Sequence, residues 1–114
     1  MEQRRARNRQ NLGVLGESLA AKFLNSRGLT IVARNVFVDG DELDLIVLDG
    51  NERIAVEVKT TSNGDDPMDA IDDMKRHRIR RATSSYGRSI NRIDAVGVRL
   101  TASGVSIQWV KDVM

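Results

Sequence analysis

Glu42, Asp44, Glu57 and Lys59 are the side chains whose types and spacing could do chemistry, and all lie in one stretch, ELDLIVLDGNERIAVEVK. Two alternating runs, Glu42–Asp49 and Glu52–Lys59, flank Gly50-Asn51. A two-residue, glycine-led loop between alternating runs marks a β-hairpin. Pairing Asp49 with Glu52 sets Asp44 opposite Glu57 and Glu42 opposite Lys59, and a four-residue loop closed by Leu48 and Arg53 keeps the same register. Alternation places Leu43, Leu45, Val47, Ile54, Val56 and Val58 on one face, and Glu42, Asp44, Ile46, Leu48, Ala55, Glu57 and Lys59 on the other. A solvated strand end with a cross-strand salt bridge, worth about 0.2–1 kcal/mol, accounts for Glu42 opposite Lys59. It does not account for Asp44 opposite Glu57, because apposed like charges repel. Two carboxylates held side by side call for a shared proton or a cation. Oxygen-only ligands beside a lysine favour Mg²⁺ or Mn²⁺ over zinc.

The chain around this hairpin has 114 residues, 40% hydrophobic and 30% charged, which suits one globular domain with a single core. A net charge of +2 says little by itself, so only its distribution bears on nucleic acid. The absence of cysteine excludes disulfides, thiolate zinc sites and a cysteine nucleophile. No apolar leader core opens the chain and no run approaches membrane-spanning length, so a cytoplasmic protein without membrane contact is expected. The lone His77 sits in a basic run without an evident partner and reads as a surface residue.

Residues 1–10, with Arg4, Arg5, Arg7 and Arg9, are expected to form a flexible basic arm, either a solubilising tail or a phosphate contact; residues 11–114 form the domain. A helix is expected over 12–27, capped by Asn11 and closed by Gly28, with Leu12, Leu15, Leu19 and Phe23 as its inward stripe. Glu17 stacks with Gly13, Ala20, Ala21 and Leu24, where a helix can press closely on a sheet, but on local evidence it reads as an ordinary exposed carboxylate. A first strand, 29–38, turns at Asp39-Gly40-Asp41 into the hairpin. Beyond Lys59 a polar loop leads to Asp66, the expected cap of a second helix that begins at Pro67 and reaches Tyr86. That helix carries Asp69, Asp72 and Asp73 early and Arg76, Arg78, Arg80 and Arg81 later, an order that suits the helix dipole. Those arginines are solvated surface or phosphate contacts with equal claim. Lys75 shares an inward stripe with Ile71 and Ile79 and can reach toward the strand ends. A final hairpin, 94–100 and 105–110, buries Trp109. The fold class is therefore α/β, a mixed sheet of about five strands flanked by helices.

Gly16-Glu17, Glu42-Leu43-Asp44-Leu45-Ile46 and Glu57-Val58-Lys59, with Gly28, Asn35, Lys75 and Ile93-Asp94, resemble the YraN family of predicted bacterial endonucleases. This family is a branch of the restriction-endonuclease-like nucleases, and the chain also looks like the archaeal Holliday junction resolvases of that fold. The resemblance covers nearly the whole chain. It implies a Mg²⁺- or Mn²⁺-dependent DNA endonuclease, acting on branched or structured DNA, with a homodimer allowed. Asp44, Glu57 and the Val58 backbone carbonyl would ligate the ion, Glu17 would complete the acidic cluster, and Lys59 would orient the attacking water. Glu42 would hold Lys59 or bind a second ion. Arg4, Arg5, Thr61, Arg76, Arg78, Arg80 and Arg81 are the candidate nucleic-acid contacts. Leu43 replaces a proline common in the superfamily, a change of little consequence, and Thr61 stands where a basic residue is usual, which leaves Thr60 or Thr61 to supply only a weaker, neutral phosphate contact. The alternatives are a nucleic-acid-binding module without significant turnover, and a protein adaptor in which the acidic cluster is an ion-stabilised knot.

Overall fold

The computed structural model describes residues 2–114, with side chains from residue 11 onward. Helix α1 (Glu2–Ser26) precedes strands β1 (Thr30–Val38), β2 (Asp41–Asp49) and β3 (Glu52–Thr61). A single-turn 3₁₀ helix (Pro67–Ala70), helix α2 (Asp73–Ser85) and strands β4 (Arg92–Thr101) and β5 (Gly104–Val110) follow. The strands form one sheet in chain order, antiparallel except between β3 and β4. A parallel pair needs a crossover, which the 3₁₀ turn and α2 provide. This mixed five-stranded sheet with a helix on each face is consistent with the restriction-endonuclease-like core that the resemblance implies.

Helix α1 ends as expected. Gly28, at φ 91°, follows a closing turn in which the Gly28 N–H donates to the Asn25 carbonyl and the Leu29 N–H to the Leu24 carbonyl. This is the two-bond Schellman pattern, and it needs the left-handed conformation that glycine supplies cheaply. Its start differs: α1 runs on N-terminally past Asn11, which is therefore an interior residue and not a cap. The arm expected over 1–10, with Arg4 and Arg5, falls on side chains outside the described residues.

The inward face of α1 also differs by one position. Leu15 is exposed while Gly16, Ala20, Ala21 and Leu24 are buried. Small residues win that face because the helix packs closely on β3: a Cβ on Gly16 would lie 2.8 Å from the Thr60 Cβ and overlap its hydroxyl. The α1-side core joins Ala20, Leu24 and Leu29 to Leu45, Val47, Ile54, Val56, Val58, Val96 and Val98, with Phe23 and Trp109 packed at its margin. Each fully buried leucine or isoleucine there stabilises by about 1.5–3 kcal/mol.

The opposite core joins Leu43, Ile46, Ala55 and Ile93 to Ile79 and Ala82 of α2. The helix expected from Pro67 to Tyr86 is broken in two. Asp66 caps the 3₁₀ turn by accepting from the Met68 N–H (3.0 Å), and Asp72 caps α2 anew by accepting from the Lys75 N–H (2.8 Å). An aspartate that can cap the chain locally competes with continuation of the helix, and buried Ile71 lies between the two pieces.

The central hairpin has the expected register, from Asp49↔Glu52 to Leu45↔Val56. There the ladder stops. Asn35 of β1, at φ 51°, lies across from Asp44, between the pairs Arg34↔Leu45 and Val36↔Leu43. Strict alternation would put Ala33 and Val36 on opposite faces, and likewise Ile46 and Leu43. All four instead join the α2-side core. Both strands thus change phase at the Asn35–Asp44 position, so Leu43 leaves the face of Leu45 and Val47 to which alternation assigned it.

Candidate metal centre

Where the β2–β3 ladder ends, the Asp44 carboxylate takes over its role: Oδ2 accepts the Val58 backbone N–H at 2.8 Å. An acid side chain therefore holds the two strands together at the point where they part. Asp44 is 9% exposed and Glu57 4%, and a hydrogen bond joins their carboxyl groups. Burial is the main force on Asp44 and the charge of Glu57 the second; together they push its carboxyl up to about 8 against the opposing Val58 N–H. Burial also raises Glu57, although Lys75 and the hydrogen bond from Asp44 oppose it. Like-charge apposition demands a shared proton, and the ammonium of Lys75 beside Glu57 biases it toward Asp44.

Lys75, from the first turn of α2, places its Nζ 3.0 Å from Glu57 Oε1. Burial alone would lower the ammonium, but Glu57 outweighs it and holds Lys75 above the usual lysine range. The inward stripe of α2 thus delivers a cation to the strand ends. Its partner, Glu57, was not legible in the sequence.

Glu42 does not face Lys59. With the ladder ended and the strand phase changed, Glu42 meets Asn35, whose Nδ2 donates to Glu42 Oε1 at 2.7 Å and to Glu17 Oε2 at 3.0 Å. Glu17 comes from α1, which is tied to the same part of β1 by Arg34 donating to Ser18 at 3.1 Å. Glu17, Glu42 and Asp44 each offer a carboxylate oxygen within 4.8 Å of the others. Two ligands of an octahedral ion at about 2.1 Å sit roughly 3–4 Å apart, so a small closure accommodates a divalent ion. Three carboxylates and no nitrogen or sulfur ligand suit a hard cation. Glu57 stands next to this group rather than in it, engaged by Asp44 and Lys75.

Two clefts are lined by different members of the acidic group. The larger, about 810 Å³, runs between α1 and the end of β3 and is lined by Glu17, Val58, Lys59, Thr60, Thr61 and the loop through Asp69. Lys59 is exposed there and, among the described residues, has no acid within ion-pair distance. The Thr61 hydroxyl donates to the Asp65 carbonyl (2.7 Å) and so is engaged within the loop. The smaller cleft, about 190 Å³, opens on the α2 side and is lined by Glu42, Asp44, Lys75 and Arg78, among others. Arg81 is paired with Asp41 at 3.0 Å, Arg76 lies 3.9 Å from exposed Asp73, and Arg80 is exposed.

Two residues with roles here were not singled out for them in the sequence. Asn35 bridges two acids; an asparagine inside a strand run, one of the few side chains that tolerates positive φ, was the available signal. Asp94 is fully buried and accepts from Arg92, from the Trp109 indole N–H (3.0 Å) and from the Asp112 N–H (2.9 Å). It ties β4 to the end of β5 and is structural.

Comparison with known proteins covers the same segment. Residues 16–98, from the close-packed Gly16 to Val98 in β4, match the family described as "Uncharacterised protein family UPF0102". A UPF0102 protein of Solibacter usitatus (strain Ellin6076) is 42% identical over 118 residues, covering 95% of this chain and 89% of that protein. One from Marinobacter nauticus is 34% identical, covering 90% and 91%, and one from Shewanella pealeana is 37% identical, covering 90% and 95%. With Glu17, Glu42, Asp44, Glu57 and Lys59 all inside the matched span, the chain belongs to the UPF0102 (YraN) family.

Proposed function

We propose that this protein is a divalent-metal-dependent endonuclease that hydrolyses phosphodiester bonds of DNA. The observation that carries the reading is the convergence of Glu17, Glu42 and Asp44, from two different elements, to within 4.8 Å, with Lys59 lining the cleft that Glu17 also lines. Glu17, Glu42 and Asp44 would hold Mg²⁺ or Mn²⁺ together with the Val58 carbonyl, with Glu57 beside them as the partner of Asp44 and Lys75. When bound, such an ion lowers the pKa of coordinated water and offsets charge developing on phosphate oxygens. The chain's own groups do the rest. Lys75, 3.0 Å from Glu57, holds that carboxyl in place and favours its charged form against the burial that opposes it. Lys59 is a donor with no competing carboxylate among the described residues, and it would hold a phosphate oxygen and steady the charge that grows there. The α1 wall, bearing Glu17, limits how far the acids can spread.

The test is a cleavage panel of branched, flapped, duplex and single-stranded DNA with Mg²⁺ or Mn²⁺. Wild type should cut at least one substrate, and Asp44→Asn and Lys59→Ala should lower the rate by at least about a hundredfold. Equal cutting by wild type and Asp44→Asn would overturn the reading. Binding without cutting by wild type would replace it with a nucleic-acid-binding module.

A further inference from the structure

We infer that Asn35 is a positioning residue of the metal centre, using its backbone and its side chain for separate parts of the task. This deepens the reading given under Proposed function and rests on it. The backbone part lies in the sheet. Asn35 adopts φ 51° across from Asp44, where both strands change phase and the β2–β3 ladder ends at Leu45↔Val56. That local distortion frees the Val58 N–H for Asp44 and carries Glu42 toward Glu17.

The side-chain part is electrostatic. An amide nitrogen has two hydrogens, and here each serves a different carboxylate, Glu17 on α1 at 3.0 Å and Glu42 on β2 at 2.7 Å. A carboxylate only accepts hydrogen bonds, so the amide nitrogen and not the amide oxygen faces both partners. Without that bridge two like charges on separate elements would diverge. With it the two carboxylates are held together before any cation arrives, and charge-assisted bonds of this kind are the stronger class. Preorganised acids cost less to bring onto an ion, which is how groups behind metal ligands set affinity.

Glycine and alanine separate the two parts. Asn35→Gly keeps access to positive φ and removes only the amide; Asn35→Ala removes the amide and disfavours the backbone. Mn²⁺ binding, followed by the loss of the free-ion electron paramagnetic resonance signal, is compared for wild type and both variants, with thermal melts of the metal-free proteins alongside. Asn35→Gly is expected to melt close to wild type yet bind Mn²⁺ about tenfold or more weakly. Asn35→Ala is expected to melt lower and bind no better than the glycine variant. Wild-type Mn²⁺ affinity in a folded Asn35→Gly protein would overturn the side-chain role, and a wild-type melt for Asn35→Ala would overturn the backbone role. Absence of Mn²⁺ binding by wild type itself would overturn the metal centre, an outcome distinct from both.

Discussion

Asp44 faces three demands that conflict without a cation. It must accept the Val58 N–H to hold the parted strands, sit beside Glu57, and remain buried. The metal-free protein meets them by keeping a proton on the Asp44–Glu57 pair, and the sign of the pH dependence follows from the raised Asp44 carboxyl. The folded carboxyl titrates at about 8 against an ordinary value of 3.8, so the folded state binds the proton more tightly than the unfolded chain. This contribution is fully present below the ordinary value and is lost as pH rises through about 8. Metal-free protein should therefore melt lower at pH 8.5 than at pH 6, with Mn²⁺ raising the melting temperature more at the higher pH, where no proton competes. Asp44→Asn separates the proton from the charge. Its side-chain oxygen can accept from Val58 and its amide can donate to Glu57, reproducing the protonated acid. The variant should match or exceed metal-free wild type in stability at pH 8.5, lose most of the pH slope, and show no melting shift with Mn²⁺. Differential scanning calorimetry across pH checks all three; an unchanged Mn²⁺ shift would remove Asp44 from the metal site.

The acids meet because α1 can approach β3 closely, and Gly16 sets that distance. A methyl group there would overlap the Thr60 hydroxyl, and the Thr60 Cβ is only 2.8 Å away, so side-chain rotation alone cannot clear it. Gly16→Ala should cost about 1–3 kcal/mol in urea unfolding as the helix shifts, and should weaken Mn²⁺ binding as Glu17 moves with it. Adding Thr60→Ala removes the hydroxyl and methyl but leaves the Cβ, so the double variant should recover part of both losses. A single variant that unfolds like wild type would show that the contact does not hold the helix. The same closeness explains why sequence reading missed the buried face of α1. Leu12, Leu15, Leu19 and Phe23 form a good apolar stripe, of which Leu19 and Phe23 do pack at the core margin; the small residues Ala20 and Ala21 marked a face able to press on a sheet, but the larger leucines outweighed that signal. The hairpin register was legible, because a two-residue loop and strict alternation determine it without outside help. Its early end at Asp44 was not legible, since that depends on the conformation of Asn35 in a neighbouring strand. The break before α2 had a signal in Asp72, a good capping residue in mid-run, but aspartate is also ordinary in a helix's first turns.

Across the whole molecule, charge decides how a polyanion would approach. The net charge of +2 is small, and the larger cleft carries Asp65, Asp66 and Asp69 as well as Lys59, so cations near the acids must be few and well placed. Helical geometry sorts the arginines of α2. Ile79 is buried, and residues on either side of it are turned about 100° in opposite directions. Arg78 lines the cleft that Asp44 and Glu42 also line. Arg81, one turn on along the same flank, is neutralised by Asp41. Arg76 and Arg80, four residues apart, lie on the other flank. A DNA backbone reaching the acids should therefore meet Arg78 and not Arg80. Binding to duplex DNA, measured in Ca²⁺ over a range of salt concentrations, should weaken for Arg78→Ala, and the slope of log affinity against log salt should become shallower by about 0.9, the loss of one phosphate contact. Arg80→Ala should leave the slope unchanged. Equal losses for the two variants would mean that the duplex lies across both flanks of α2 and that the smaller cleft is not its entrance; a loss for Arg80→Ala alone would place the duplex on the far flank, away from the acids.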